Sequence, residues 1–149
     1  MKQSNEIKIL IVDDSPTIRH QIKSLLSKSE FKLFEAENGS MALKKAKMEQ
    51  PDIMLMDVQM PKMNGFQCCE QIKAHPELKH IRVIMVTGET GYENLSHAYR
   101  MGCNDYINKP INEQELMEKL NRVARFVRIS RTAKCTLAQR KDKSSTPPV

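Results

Sequence analysis

Five polar residues stand at or just after the ends of short apolar runs, and their types can do chemistry together. Asp13 and Asp14 follow the run 7–12 (IKILIV), Asp57 follows 53–56 (IMLM), Thr87 follows 81–86 (IRVIMV), and Lys109 comes shortly after Tyr106 and Ile107. Three carboxylates held in close company repel one another, and their ionised form calls for a compensating cation. All-oxygen ligation selects a hard ion, and a site with few protein ligands and retained waters suits Mg²⁺ better than Ca²⁺. A lysine adds a second, fixed positive charge. A carboxylate held beside a divalent cation and an ammonium is placed to attack a phosphoryl group. The metal, the ammonium and a hydroxyl donor would neutralise the transferring oxygens.

That chemistry requires elements that bring the five residues to one place. Apolar runs alternate with helical periods along the chain. The run 7–12 has the β-branched character of a buried parallel strand. After Asp14-Ser15, Pro16 opens a helical pattern with Ile18, Ile22, Leu25 and Leu26 on one face. Residues 31–36 are less apolar and read as an edge strand. Ser40 is expected to cap a helix carrying Ala42, Leu43 and Ala46, which must stop before Pro51. A third strand ends in Asp57, and a turn with Pro61, Asn64 and Gly65 leads to a helix bearing Phe66, Cys69 and Ile72. The fourth strand ends at Thr87-Gly88. A helix around Leu95, Ala98 and Met101 stops at Gly102, and a short fifth strand precedes Lys109-Pro110. The last helix aligns Leu116, Leu120, Val123 and Val127. Five βα units in about 125 residues imply an α/β fold, a parallel sheet with helices on both faces. Ligands of such sheets bind beyond the carboxyl ends of the strands, which is where the five residues fall. Taken alone, Asp13-Asp14 reads first as a cap for the helix at Pro16, and Tyr106 as an ordinary core aromatic.

The spacing of IVDDS at 11–15, MLMDVQMPKMNG at 54–65, MVTGE at 85–89 and YINKP at 106–110 resembles the receiver domain of bacterial two-component response regulators. The likeness runs from about residue 7 to 127. It implies a flavodoxin-like (βα)5 fold, a doubly wound five-stranded parallel sheet in the order 2-1-3-4-5. It implies that Asp57 takes a phosphoryl group from a histidine kinase or phosphotransfer protein. Asp14, Asp57 and the backbone carbonyl of Gln59 would hold Mg²⁺ directly, with Asp13 acting mainly through water. Lys109 would pair with a phosphoryl oxygen and precede a cis peptide to Pro110. Thr87 would bond the phosphoryl group and move inward, letting Tyr106 swing from exposed to buried. This would re-shape the face made by the fourth helix, fifth strand and fifth helix, where a downstream target protein docks. Such a chain is a signalling phosphoacceptor in a phosphorelay, assisting only its own phosphotransfer and dephosphorylation. A phosphate sink without output, or the receiver module of a longer regulator, would look the same. A haloacid-dehalogenase-type phosphatase also uses a strand-end aspartate with Mg²⁺, but Asp57 is followed by Val58-Gln59 with no second acid at 59.

Composition sets the remaining limits. The 149 residues are 40% hydrophobic and 28% charged, which fits one domain with an extension. No stretch has the roughly 18–20 apolar residues of a membrane span, and the N-terminus lacks a signal-peptide layout. Cys68, Cys69, Cys103 and Cys135 have no CxxC spacing and read as free thiols of a cytoplasmic protein, Cys68-Cys69 as half-buried packing. The histidines lack metal-ligand spacing, and the methionines read as core and loop filler. The net charge of +6 divides unevenly. Residues 121–149 carry eight Lys and Arg against one acid, a net of +7, while residues 1–120 carry 16 against 17, a net of −1. The chain therefore divides into a domain at 1–127 and, at 128–149, a basic helical extension with a tail, residues 141–149, expected to be disordered. No helix-turn-helix, zinc-finger or stacking-aromatic pattern points to a DNA-binding domain. A monomer and a phosphorylation-linked dimer are both compatible with this reading.

Overall fold

The computed structural model describes residues 6–88 and 92–144, with side chains for all of these except 92–95 and 135–144. Strands and helices alternate in the order β1 (Lys8–Val12), α1 (Pro16–Leu25), β2 (Lys32–Ala36), α2 (Gly39–Glu49), β3 (Ile53–Asp57), α3 (Gly65–Ala74), β4 (Arg82–Thr87), α4 (Tyr92–Arg100), β5 (Asp105–Asn108) and α5 (Glu113–Ser144). All pairings are parallel, and the sheet order is β2-β1-β3-β4-β5.

The unbroken apolar runs follow from this arrangement. Successive side chains of a strand point to opposite faces, so a strand covered on both sides is apolar along its length, with polar residues confined to its ends, as Lys8, Asp57, Arg82 and Thr87 are here. Leu10, Val12, Met54, Met56 and Met85 pack on one face with Ala42 and Ala46 of α2, Cys68, Cys69 and Ile72 of α3, and Ala98 of α4. Ile9, Ile11, Ile53, Leu55 and Ile84 pack on the other with Ile22 of α1 and Leu116, Leu120, Val123 and Val127 of α5. Burying each large side chain of this kind contributes about 1.5–3 kcal/mol. β2 is an edge strand and only Ala36 in it is buried, which matches its weaker apolar character.

Three expectations need correction. The cap of α2 is Asn38, whose Oδ1 accepts the Met41 N–H at 2.8 Å; Ser40 lies inside the first turn. Cys68 and Cys69 are fully buried rather than half-buried, because α3 lies against α2 and turns both thiols inward. The helical extension reaches Ser144, four residues into the segment expected to be disordered. No Gly or Pro interrupts the chain between Pro110 and Pro147, and Lys, Arg, Ala, Leu and Gln all sustain a helix. Residues 145–149 lie outside the described part, as do the side chain of Leu95 and Glu89 of the MVTGE motif.

Candidate functional site

In this strand order the chain leaves β1 for β2 on one side and leaves β3 for β4 on the other, so a crevice opens above the carboxyl ends of β1 and β3. Asp13 follows β1 and Asp57 closes β3, one on each wall of that crevice. The Ser15 side chain caps α1, accepting the Ile18 N–H at 3.4 Å. That leaves the aspartates free of the capping role. Asp13 accepts the Ser15 N–H at 2.9 Å through Oδ1 and the Lys109 ammonium at 3.1 Å through Oδ2. Lys109 Nζ also lies 3.3 Å from Asp57 Oδ1, which takes the Gln59 N–H at 3.3 Å.

Asp13, Asp14 and Asp57 each offer a carboxylate oxygen within 4.8 Å of the others. Asp13 and Asp57 are buried and Asp14 is exposed, so the cluster opens to solvent through Asp14. One ammonium stands against three carboxylates, a deficit of positive charge. Burial pushes the Asp57 carboxyl above its usual range, and the charge of Asp13 adds to this against the opposing pull of Lys109 and the Gln59 N–H. Burial disfavours the Lys109 ammonium, yet its hydrogen bond to Asp13 and the charges of both carboxylates outweigh that and raise its pKa. An all-oxygen set with surplus negative charge and one open side fits a small hard divalent cation.

The rest of the rim is tied to this cluster. Thr87 is buried at the end of β4, and its carbonyl accepts the Lys109 N–H at 2.7 Å. The Lys109–Pro110 peptide bond is cis. Tyr106 is half-buried in β5, packed against the α2–α3–α4 core, with Lys119 Nζ 4.8 Å from its ring centroid. Below Asp57 the chain turns tightly into α3. The Gly65 N–H donates to Val58 O at 2.8 Å, and a Cβ at position 65 would sit 2.3 Å from the Asp57 carbonyl oxygen. Lys62 holds φ 70° in the same turn.

Two residues that support the site are not evident from the sequence. Arg19 of α1 donates to the Asp13 carbonyl at 2.6 Å and to Glu35 Oε1 of β2 at 3.2 Å. Glu35 is held below the usual carboxylate range, chiefly by its hydrogen bond to Lys23 against its own burial, with Arg19 adding to the effect. Arg19 thus fastens the loop that carries Asp13 and Asp14 to the neighbouring strand. A helical pattern in sequence shows Arg19 only as a polar residue beside the apolar stripe.

Residues 9–121 match the profile of the family described as the response regulator receiver domain, and the chain belongs to that family. Among its relatives, protein PilH of Pseudomonas aeruginosa is 39% identical over 116 residues, covering 78% of this chain and 96% of PilH. Chemotaxis protein CheY-3 of Vibrio cholerae is 39% identical over 121 residues, covering 80% of this chain and 93% of that protein. The transcriptional regulatory protein ResD of Bacillus subtilis is 35% identical over 125 residues, but the match spans only 51% of its length. Chemotaxis protein CheY4 of V. cholerae superposes with a TM-score of 0.75 at 31% identity, covering 79% of this chain and 98% of that one. Receiver domains are signalling modules of two-component systems, and membership implies a histidine kinase or phosphotransfer partner. No described helix is long and apolar enough to cross a membrane.

Proposed function

We propose that this protein is a cytoplasmic phosphoacceptor response regulator whose domain, residues 1–127, carries the switch and whose segment 128–149 extends it. The observation that carries the reading is the charge deficit around Asp57, a buried strand-end carboxylate that shares one ammonium with Asp13. An Asp57 carboxylate oxygen attacks the phosphorus of a phosphohistidine, the P–N bond breaks, and the imidazole leaves with the electron pair. Asp13, Asp14, Asp57 and the Gln59 carbonyl would hold Mg²⁺. Such an ion would supply electrostatic neutralisation of the phosphoryl oxygens. Lys109 already reaches the acceptor carboxylate and is positioned to hold a phosphoryl oxygen instead. The Thr87 hydroxyl takes a second phosphoryl oxygen, and its inward movement makes room for Tyr106 to bury its ring. The α4–β5–α5 face changes shape as a result, and a target protein reads that change.

The test is incubation with acetyl phosphate, with and without Mg²⁺, followed by intact-mass measurement. The expected result is a Mg²⁺-dependent gain of one phosphoryl group that is absent from Asp57→Asn. A phosphoryl group retained by that variant rules the assignment out.

A further inference from the structure

Asn108 closes β5 and stands beside Thr87 of β4 in the sheet, two positions after Tyr106. Alternate residues of a strand share a face, so Tyr106 and Asn108 lie on the side that Met85 and Thr87 occupy in β4. Met85 and Tyr106 pack there against the core beneath α3 and α4, while Ile107 turns to the side of α1 and α5. Asn108 Oδ1 is buried, and among the described residues it has no hydrogen-bond partner. Backbone groups around it are met: the Lys109 N–H donates to Thr87 O at 2.7 Å, and the Tyr106 N–H to Asp105 Oδ1 at 2.8 Å. A buried acceptor without a donor raises the free energy of whatever arrangement contains it, and such atoms are rare in folded proteins. The resting form is therefore incompletely satisfied beside the candidate switch residues.

Two neighbours on this face carry hydroxyls, Thr87 and Tyr106. Thr87 has one hydroxyl proton to give, and phosphoryl binding commits it to a phosphoryl oxygen. Tyr106 has the opposite need: once its ring is buried, its O–H requires an acceptor away from water. Same-face positions along a strand are roughly 6.6 Å apart, about the length of a tyrosine side chain. A ring leaning along β5 thus brings its hydroxyl to position 108. We propose that Asn108 is a positioning residue for the switch, its side-chain oxygen accepting the Tyr106 hydroxyl once the ring is buried. The inference rests on reading Asp57 as the phosphoacceptor with Thr87 and Tyr106 as its switch, and it names the residue that sets their balance. One bond satisfies two groups, and only in the loaded form. Asn108 therefore tilts the equilibrium toward the buried ring and, by linkage, strengthens the hold on a phosphoryl group at Asp57. A side chain without an acceptor at position 108 removes the tilt.

The test uses the full-length protein with fluorotyrosine at its three tyrosines, the Tyr106 fluorine signal being the one lost in Tyr106→Phe. Spectra are recorded with Mg²⁺ before and after beryllofluoride, and beryllofluoride affinity is measured by titration. In the wild type the Tyr106 signal should move to a buried environment on loading. Asn108→Val should unfold at higher urea when unloaded, because the unmet oxygen is gone. It should bind beryllofluoride about tenfold more weakly and leave part of the Tyr106 signal exposed. Tyr106→Phe removes the same bond from its other end, so it should lose a similar factor, and the double variant no more than either single one. A complete Tyr106 shift in Asn108→Val, an unfolding midpoint that does not rise, or losses that multiply in the double variant each overturn the inference and leave Asp57 in place. A wild type that fails to bind beryllofluoride, or Asp57→Asn that still binds it, overturns the phosphoacceptor reading and this inference with it.

Discussion

At the carboxyl rim of the sheet Lys109 faces two buried carboxylates, with a third nearby on Asp14. At the amino rim Arg131 faces one, Asp52, at 2.5 Å. Asp52 is further satisfied by the Lys8 N–H at 2.9 Å, and Arg131 also donates to the Glu6 carbonyl at 3.3 Å. Both rims therefore place an aspartate against a cation and against backbone groups. They differ in balance. The lower cluster is neutral and closes on itself, fastening α5 to β1 and β3. The upper one sets two buried carboxylates and an exposed third against the Lys109 ammonium and so keeps surplus negative charge. A buried ion pair with matched charges is a fastening, whereas a mismatched one is a site.

Four substitutions or titrations probe that contrast. Removing the ammonium that Asp13 and Asp57 share should have the largest effect. Lys109→Ala is expected to slow phosphoryl uptake from acetyl phosphate about 100-fold, as loss of one preorganised charge stabiliser does, with urea unfolding little changed. A rate within a few-fold of wild type would show that the mismatch does not need Lys109. Asp52→Ala should invert the pattern. It strands Arg131 and the Lys8 N–H, so unfolding free energy in urea should fall by about 2 kcal/mol, while phosphoryl uptake persists. A variant that keeps its stability, or loses uptake while folded, would erase the distinction between the rims.

Arg19→Ala tests how the upper rim is held. Outer supports of metal ligands typically carry about tenfold in affinity, so Mg²⁺ binding by calorimetry should weaken to that extent. Unchanged affinity would make the contact to the Asp13 carbonyl incidental. The smallest effect concerns the thiols, which lie between the rims in the core. Burial pushes Cys68 and Cys103 up to about 12 and Cys69 to about 11. These thiols stay protonated in the native state, so their contribution to stability is present below the ordinary thiol pKa and is lost as pH rises from there toward about 12. Iodoacetamide at pH 8 should modify all three only after denaturation, and rapid native labelling of any one would contradict its burial.

The same contrast explains what could be read in advance. β1, β3 and β4 are legible because burial on both faces leaves unbroken apolar runs. Asp13, Asp57, Thr87 and Lys109 are legible because each stands where such a strand ends. The strand order came from the family resemblance, since alternation of elements does not dictate which strands are neighbours. The Asp52–Arg131 fastening spans 79 positions and has no periodic signature. Arg19 and Glu35 are hidden in the same way, each polar on an element whose apolar pattern is satisfied without it. The basic charge of the C-terminal segment was plain, but its helical reach depends on the absence of breakers, a weaker signal than the polar composition of 141–149.

Gly65 limits how such a protein can change over generations. Exposed positions such as Met48 and Tyr99 have open space around them and can drift. At position 65 even a methyl group meets the Asp57 carbonyl at 2.3 Å and Met85 Cε at 2.6 Å. The obstruction is backbone, which cannot turn aside as a flexible side chain can. Any substitution of this glycine must displace the peptide carbonyl of Asp57. Changes elsewhere, along the exposed side of α5 for instance, leave that steric constraint at position 65 untouched.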